Sequence, residues 1–64
     1  MSADYIVENH GTIYLVVPQT TEAQDNLREH AQEGAQFFGR ALAVEHRYIG
    51  QLVEQLNDEG WSVQ

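Results

Sequence analysis

The stretch Ala41-Leu42-Ala43-Val44-Glu45-His46-Arg47-Tyr48-Ile49-Gly50-Gln51-Leu52-Val53-Glu54-Gln55-Leu56-Asn57-Asp58-Glu59-Gly60-Trp61 changes period part-way along. Ala41 to Val44 is a short apolar run, the form of a buried strand. Beyond it, Ile49, Leu52, Val53 and Leu56 fall at i, i+3, i+4 and i+7 and make one stripe of a helix. Arg47, Glu54 and Asp58 fall on the opposite side. Gly60 follows the last periodic turn, where a residue that accepts positive φ ends a helix. The stretch therefore predicts a strand, a tight turn and an amphipathic helix over about residues 46–59 that covers a sheet.

Upstream of this stretch, Tyr5-Ile6-Val7-Glu8 is β-branched and aromatic, the composition of a strand. Asn9-His10-Gly11 is a turn signal, and Thr12 to Val17 is the clearest strand in the chain. Together they predict a hairpin. The second strand is apolar on both faces, which predicts a central position or cover on both sides. Pro18 ends it, having no N–H for a ladder. Thr20 and Thr21 are candidate N-caps for a first helix over about residues 21–32, with Glu22 near the positive end of its dipole. The apolar stripe of that helix is narrow: Ala23, Leu27 and Ala31, with His30 at the margin. Gln36 to Arg40 leads into the third strand, and one of Phe37 and Phe38 at least is expected in the core. Trp61-Ser62-Val63 predicts a short last strand, with Trp61 and Val63 on one face. Met1 to Asp4 is expected to be a loose end. The fold class expected is α+β: one domain over residues 1–64, in the order β-β-α-β-α-β, with two helices packed on one face of a small sheet. Strand order is not fixed by the sequence.

Sixty-four residues without a cysteine leave a thin stability margin, since a chain of this size buries only about 60% of its unfolded surface. No apolar run approaches the roughly 20 residues of a membrane span, and the N-terminus lacks the pattern of a signal peptide. A cytoplasmic protein with no membrane contact is the expectation. Ten acidic residues face three arginines and no lysine, a formal net charge of −7. Direct binding to nucleic acid needs basic residues that displace counterions from phosphates, so it is not expected. An acidic surface suits a basic protein partner and speeds the encounter with it; it also keeps a small protein soluble.

The residues carry no catalytic constellation. Ser2 and Ser62 belong to no nucleophile motif, and Glu45-His46 is an acid–base pair without a pocket to work in. The glycines are scattered singly, so no phosphate loop is formed. His10, His30 and His46 lack the convergent spacing zinc requires. Neither enzymatic activity nor a metal or other cofactor is expected. Tyr48 and Trp61 are candidates for partial exposure, and a weak homodimer burying Trp61 is open at this chain length.

The most suggestive pattern is a single acidic ridge on the first helix: Glu22, Asp25, Glu29 and Glu33, at i, i+3, i+7 and i+11. Like charges at this spacing oppose one another by a few tenths of a kcal/mol per pair in an isolated helix. Glu54, Asp58 and Glu59 on the second helix extend the set. Carboxylates repeating every three or four helical residues are spaced by about 5 to 6 Å, on the scale of successive phosphates along a strand. Such a ridge can occupy a basic groove in place of a nucleic acid; a solvated helix face is the plainer interpretation.

Val7-Glu8-Asn9-His10-Gly11-Thr12-Ile13-Tyr14-Leu15, then Phe38-Gly39 and Val44-Glu45-His46-Arg47-Tyr48, resemble short acidic proteins encoded on phages and mobile elements of Gram-negative bacteria, among which are anti-CRISPR proteins acting on type I systems. The resemblance implies binding to a protein subunit of the DNA-surveillance complex and blocked recognition of target DNA. It carries no residue roles, so the ridge stands on its spacing. The function expected is thus an anti-CRISPR inhibitor with a DNA-mimicking acidic surface, a monomer or weak homodimer. The alternatives are an antitoxin-like or regulatory protein that binds one basic partner, and a small homo-oligomeric phage assembly protein.

Overall fold

A computed structural model describes residues 3–31 and 35–64. Strands β1 (Tyr5–Asn9) and β2 (Ile13–Pro18) form the first hairpin, followed by helix α1 (Thr21–His30), strands β3 (Phe37–Phe38) and β4 (Ala41–Glu45), and helix α2 (His46–Asp58). The sheet order is β1-β2-β4-β3, antiparallel throughout. The C-terminal segment then returns beside β1, where Val63 bridges Tyr5 in parallel. The order β-β-α-β-α-β is as read from the sequence, with the short β3 added as a partner of β4.

The turns follow from residue chemistry. In the first hairpin Gly11 has φ +90°, and its N–H donates to Asn9 Oδ1 at 2.9 Å, a side chain closing its own turn. Thr20 caps α1, its Oγ1 accepting from Ala23 N at 3.0 Å. At the far end of α1 the backbone turns extended at Ala31; the helix thus stops at His30, short of the residue 32 predicted. The end of α2 is a full Schellman motif: Gly60, at φ +95°, donates to Asn57 O, and Trp61 N donates to Leu56 O, both at 3.0 Å.

Side chains of β1, β2 and β4 alternate between two faces. Tyr5, Val16 and Leu42 turn towards the helices and, with Ala23, Leu27 and Leu56, form the buried core. Val7, Val44, Ile49, Leu52, Trp61 and Val63 pack around it. Tyr5 is fully buried. Its hydroxyl donates to Ala23 O at 2.7 Å and accepts from Asn26 Nδ2 at 3.0 Å, so a buried polar tip is satisfied by α1. β2 is central, as its composition predicted, but the helices cover one face of it.

Two expectations are corrected. Neither phenylalanine enters the core: Phe37 is 40% and Phe38 60% exposed. They sit on a two-residue edge strand held by backbone pairing to Ala41 and Leu42, outside the area the two helices cover. The residues before β1 are not all loose. Ala3 is buried, and Asp4 both donates its N–H to Ser62 O and accepts from Ser62 N, each at 2.9 Å. Met1 and Ser2 lie outside the described residues.

Candidate functional site

Helix α1 turns Ala23 and Leu27 inward and leaves Glu22, Asp25 and Glu29 exposed. The three carboxylates follow the period of a helix whose opposite side is committed to the core. With a rise of about 1.5 Å per residue, they span roughly 10 Å of axis. The fourth member of the expected ridge, Glu33, lies outside the described residues. On α2, Glu54 and Asp58 are likewise exposed, opposite the half-buried Ile49, Leu52 and Val53 and the buried Leu56. Both helices lie over one face of the sheet, which gathers these acids into a single layer of the molecule.

Among the described residues, none of Glu22, Asp25, Glu29, Glu54 and Asp58 makes an ion pair. Glu59 differs. Its Oε1 lies 3.0 Å from Nε2 of His30, whose side chain is 17% exposed, so it fastens the end of α2 to the end of α1. That contact joins residues 29 apart in sequence, and no local pattern could have announced it. His30 is thus a half-buried polar residue at the helix margin, engaged with a carboxylate. Glu59 faces that contact first and solvent second.

A groove of about 730 Å³ lies beside these acids, between the end of α1 and α2 and over β4, lined in part by His30, Ala31, Leu42, Val44, Tyr48 and Leu52. Tyr48 is 51% exposed there, with the Arg47 guanidinium 5.0 Å from its ring centroid. Arg47 also donates to Glu45 Oε2 at 3.1 Å. Glu45 and His46, the acid–base pair considered from the sequence, are both exposed, at the junction of β4 and α2. Among the described residues no three His, Asp or Glu side chains converge as a metal site would require. Burial raises the pKa of the Tyr5 phenol above its ordinary value, and the hydrogen bond from Asn26 works against that rise; this group belongs to the core.

The arrangement offers a surface of unpaired negative charge on rigid helices. Each of these carboxylates can accept hydrogen bonds from an Arg or Lys side chain. Among the described residues no helix is long and apolar enough to cross a membrane. Comparison with protein-family models, curated proteins and solved structures finds no match to this chain.

Proposed function

We propose that this chain is an inhibitory binding protein that presents its acidic helical layer to the basic groove of a nucleic-acid-binding protein in the bacterial cytoplasm. The observation that carries the reading is the exposed, unpaired set Glu22, Asp25 and Glu29 on one face of α1. Axial steps of about 4.5 and 6 Å between them are of the few-ångström scale of a phosphate strand. Glu54 and Asp58 on α2 enlarge the same layer. The sequence resemblance to type I anti-CRISPR proteins supplies the partner class, a surveillance-complex subunit whose DNA groove the acids would fill. Inhibition then proceeds by competition, with no bond made or broken.

The test is DNA binding by a purified type I surveillance complex, with and without this protein, at low and high salt. The expected result is loss of target-DNA binding that recovers as salt rises, because the contact is electrostatic. A variant carrying Glu22→Lys, Asp25→Lys and Glu29→Lys should lose the effect while keeping its circular dichroism spectrum. Unchanged DNA binding in the presence of wild-type protein would remove the surveillance complex as the partner. A folded triple variant that still inhibits would remove the mimicry. A salt-sensitive partner captured from lysate that does not bind nucleic acid would favour the antitoxin-like alternative.

A further inference from the structure

The helices leave the second face of the sheet bare. Across it the register pairs Ile6 with Val17, Leu15 with Ala43, and Phe38 with Ala41, and Ile13 continues the row on β2. Ile6 is 39%, Ile13 37% and Phe38 60% exposed. A depression of about 270 Å³ opens between Ile13, Leu15 and Phe38, with His10 and Thr12 also lining it. A continuous apolar face of this kind marks an interaction surface.

We infer that this face is the interface of a homodimer, in which two copies stack sheet on sheet about a two-fold axis. Charge permits a second copy as the occupant. The two carboxylates that alternate onto this face are both engaged by neighbours: Glu8 Oε1 lies 3.1 Å from His10 Nε2, and Glu45 Oε2 lies 3.1 Å from Arg47 Nε. The unpaired acids lie on the other side of the molecule, over the helices. Stacked sheets sit about 10 Å apart, and a helix about 10 Å thick lies beyond each. The two acidic layers are then several Debye lengths apart, each length being about 8 Å at physiological salt. A net charge of −7 therefore does not oppose this pairing, whereas a strongly basic partner is drawn to the helical side.

Area sets the strength. The two larger extents of the chain, 28 and 19 Å, cap the face at about 530 Å² per copy. Complete overlap of two such faces would bury about 1,000 Å², the lower edge of specific interfaces, so the dimer expected is a reversible one. In an isologous pair each copy offers both the projecting Phe38 and the depression beside it. The inference stands apart from the proposed function, because it uses the opposite face.

The experiment is analytical ultracentrifugation of the full chain from low to high micromolar concentration, at moderate and high salt. The mass should rise from 7.3 kDa towards twice that, with no weakening at high salt. Leu15→Glu and Phe38→Glu should each raise the dissociation constant at least about tenfold, and Glu29→Lys should leave it unchanged. If Leu15→Glu fails to fold, Phe38→Glu, at a more exposed position, carries the comparison. A mass of one chain at every concentration overturns the inference. So does a dimer that the folded Phe38→Glu variant retains, or one that dissociates with salt.

Discussion

The ring of Trp61 meets the ring of Tyr5 edge-on, with centroids 5.7 Å apart and planes at 73°. Trp61 is the residue that completes the cap of α2, and Tyr5 opens β1. The contact therefore joins the end of the last helix to the first strand, beside the backbone bonds that Tyr5 exchanges with Ser62 and Gln64. Aromatic pairs in this geometry contribute about 0.5–1.5 kcal/mol beyond their burial.

Trp61→Ala removes that pair and the packing of a large ring against the core, at a cost of about 2–4 kcal/mol; the ring is half-buried, so the loss falls short of the full-core range. In a domain of this size that is a large part of the total stability. Trp61→Phe keeps an edge contact and should lose less than half as much. Urea unfolding followed by circular dichroism separates them. Equal midpoints for wild type and Trp61→Ala would show that the contact contributes nothing.

The Tyr5 hydroxyl can be removed while its ring is kept. Tyr5→Phe leaves Ala23 O and Asn26 Nδ2 without their partner, which should cost about 1–3 kcal/mol near neutral pH. The pH dependence has a definite sign. Burial raises the folded-state pKa of Tyr5 above its ordinary value, so the folded state holds the proton more firmly than the unfolded state. This stability is fully present below about pH 10 and is lost as pH climbs through the folded-state value. The gap between wild type and Tyr5→Phe should therefore stay constant below about pH 10 and narrow above it. A gap that widens above about pH 10 would contradict the burial of the neutral phenol.

These contacts mark what the sequence could and could not disclose. Helix α2 was legible because Ile49, Leu52, Val53 and Leu56 repeat at its period and Gly60 stands at its end, both local signals. The exposure of Glu22, Asp25 and Glu29 on α1 was legible for the same reason. The end of α1 was not: Ala31 continues the apolar stripe, and nothing in its chemistry forbids another turn. Phe37 and Phe38 misled because hydrophobicity announces burial only where another element arrives to cover it. Glu59 counted as a ridge acid by position alone, since its contact with His30 depends on how the two helices lie. The bare face of β2 was foreshadowed by apolar residues on both of its sides, but composition does not say whether one side is covered by the chain itself.

The two glycines of the α2 region should respond oppositely to one substitution. At neither Gly50 nor Gly60 would an added Cβ meet an atom within 4 Å, so backbone conformation decides. Gly50 is an exposed interior residue of α2, and Gly50→Ala should stabilise by about 0.5–1 kcal/mol. Gly60 holds φ +95°, and Gly60→Ala should destabilise by about 1–2 kcal/mol. For a domain of 60 to 100 residues each kcal/mol moves Tm by about 4–8 °C, so thermal melts resolve the two shifts. Shifts of the same sign would show that Gly60 does not govern the end of the helix.

The acidic residues of α1 should also differ in sign, according to their place along the helix. Glu22 lies in the first turn, where the amide dipoles favour a negative charge, so Glu22→Gln should destabilise by about 0.3–1 kcal/mol. Glu29 lies in the last turn, where the dipole opposes it, and stands four residues from Asp25. Glu29→Gln relieves both effects and should stabilise by a similar amount. Added salt screens the same repulsions, so the gain from Glu29→Gln should shrink as salt rises. A carboxylate that costs the fold stability while facing solvent has its explanation outside the fold, which is where the proposed partner contact places it. If Glu29→Gln lowers Tm at low salt instead, the ridge is structural, and Glu29 no longer argues for a partner.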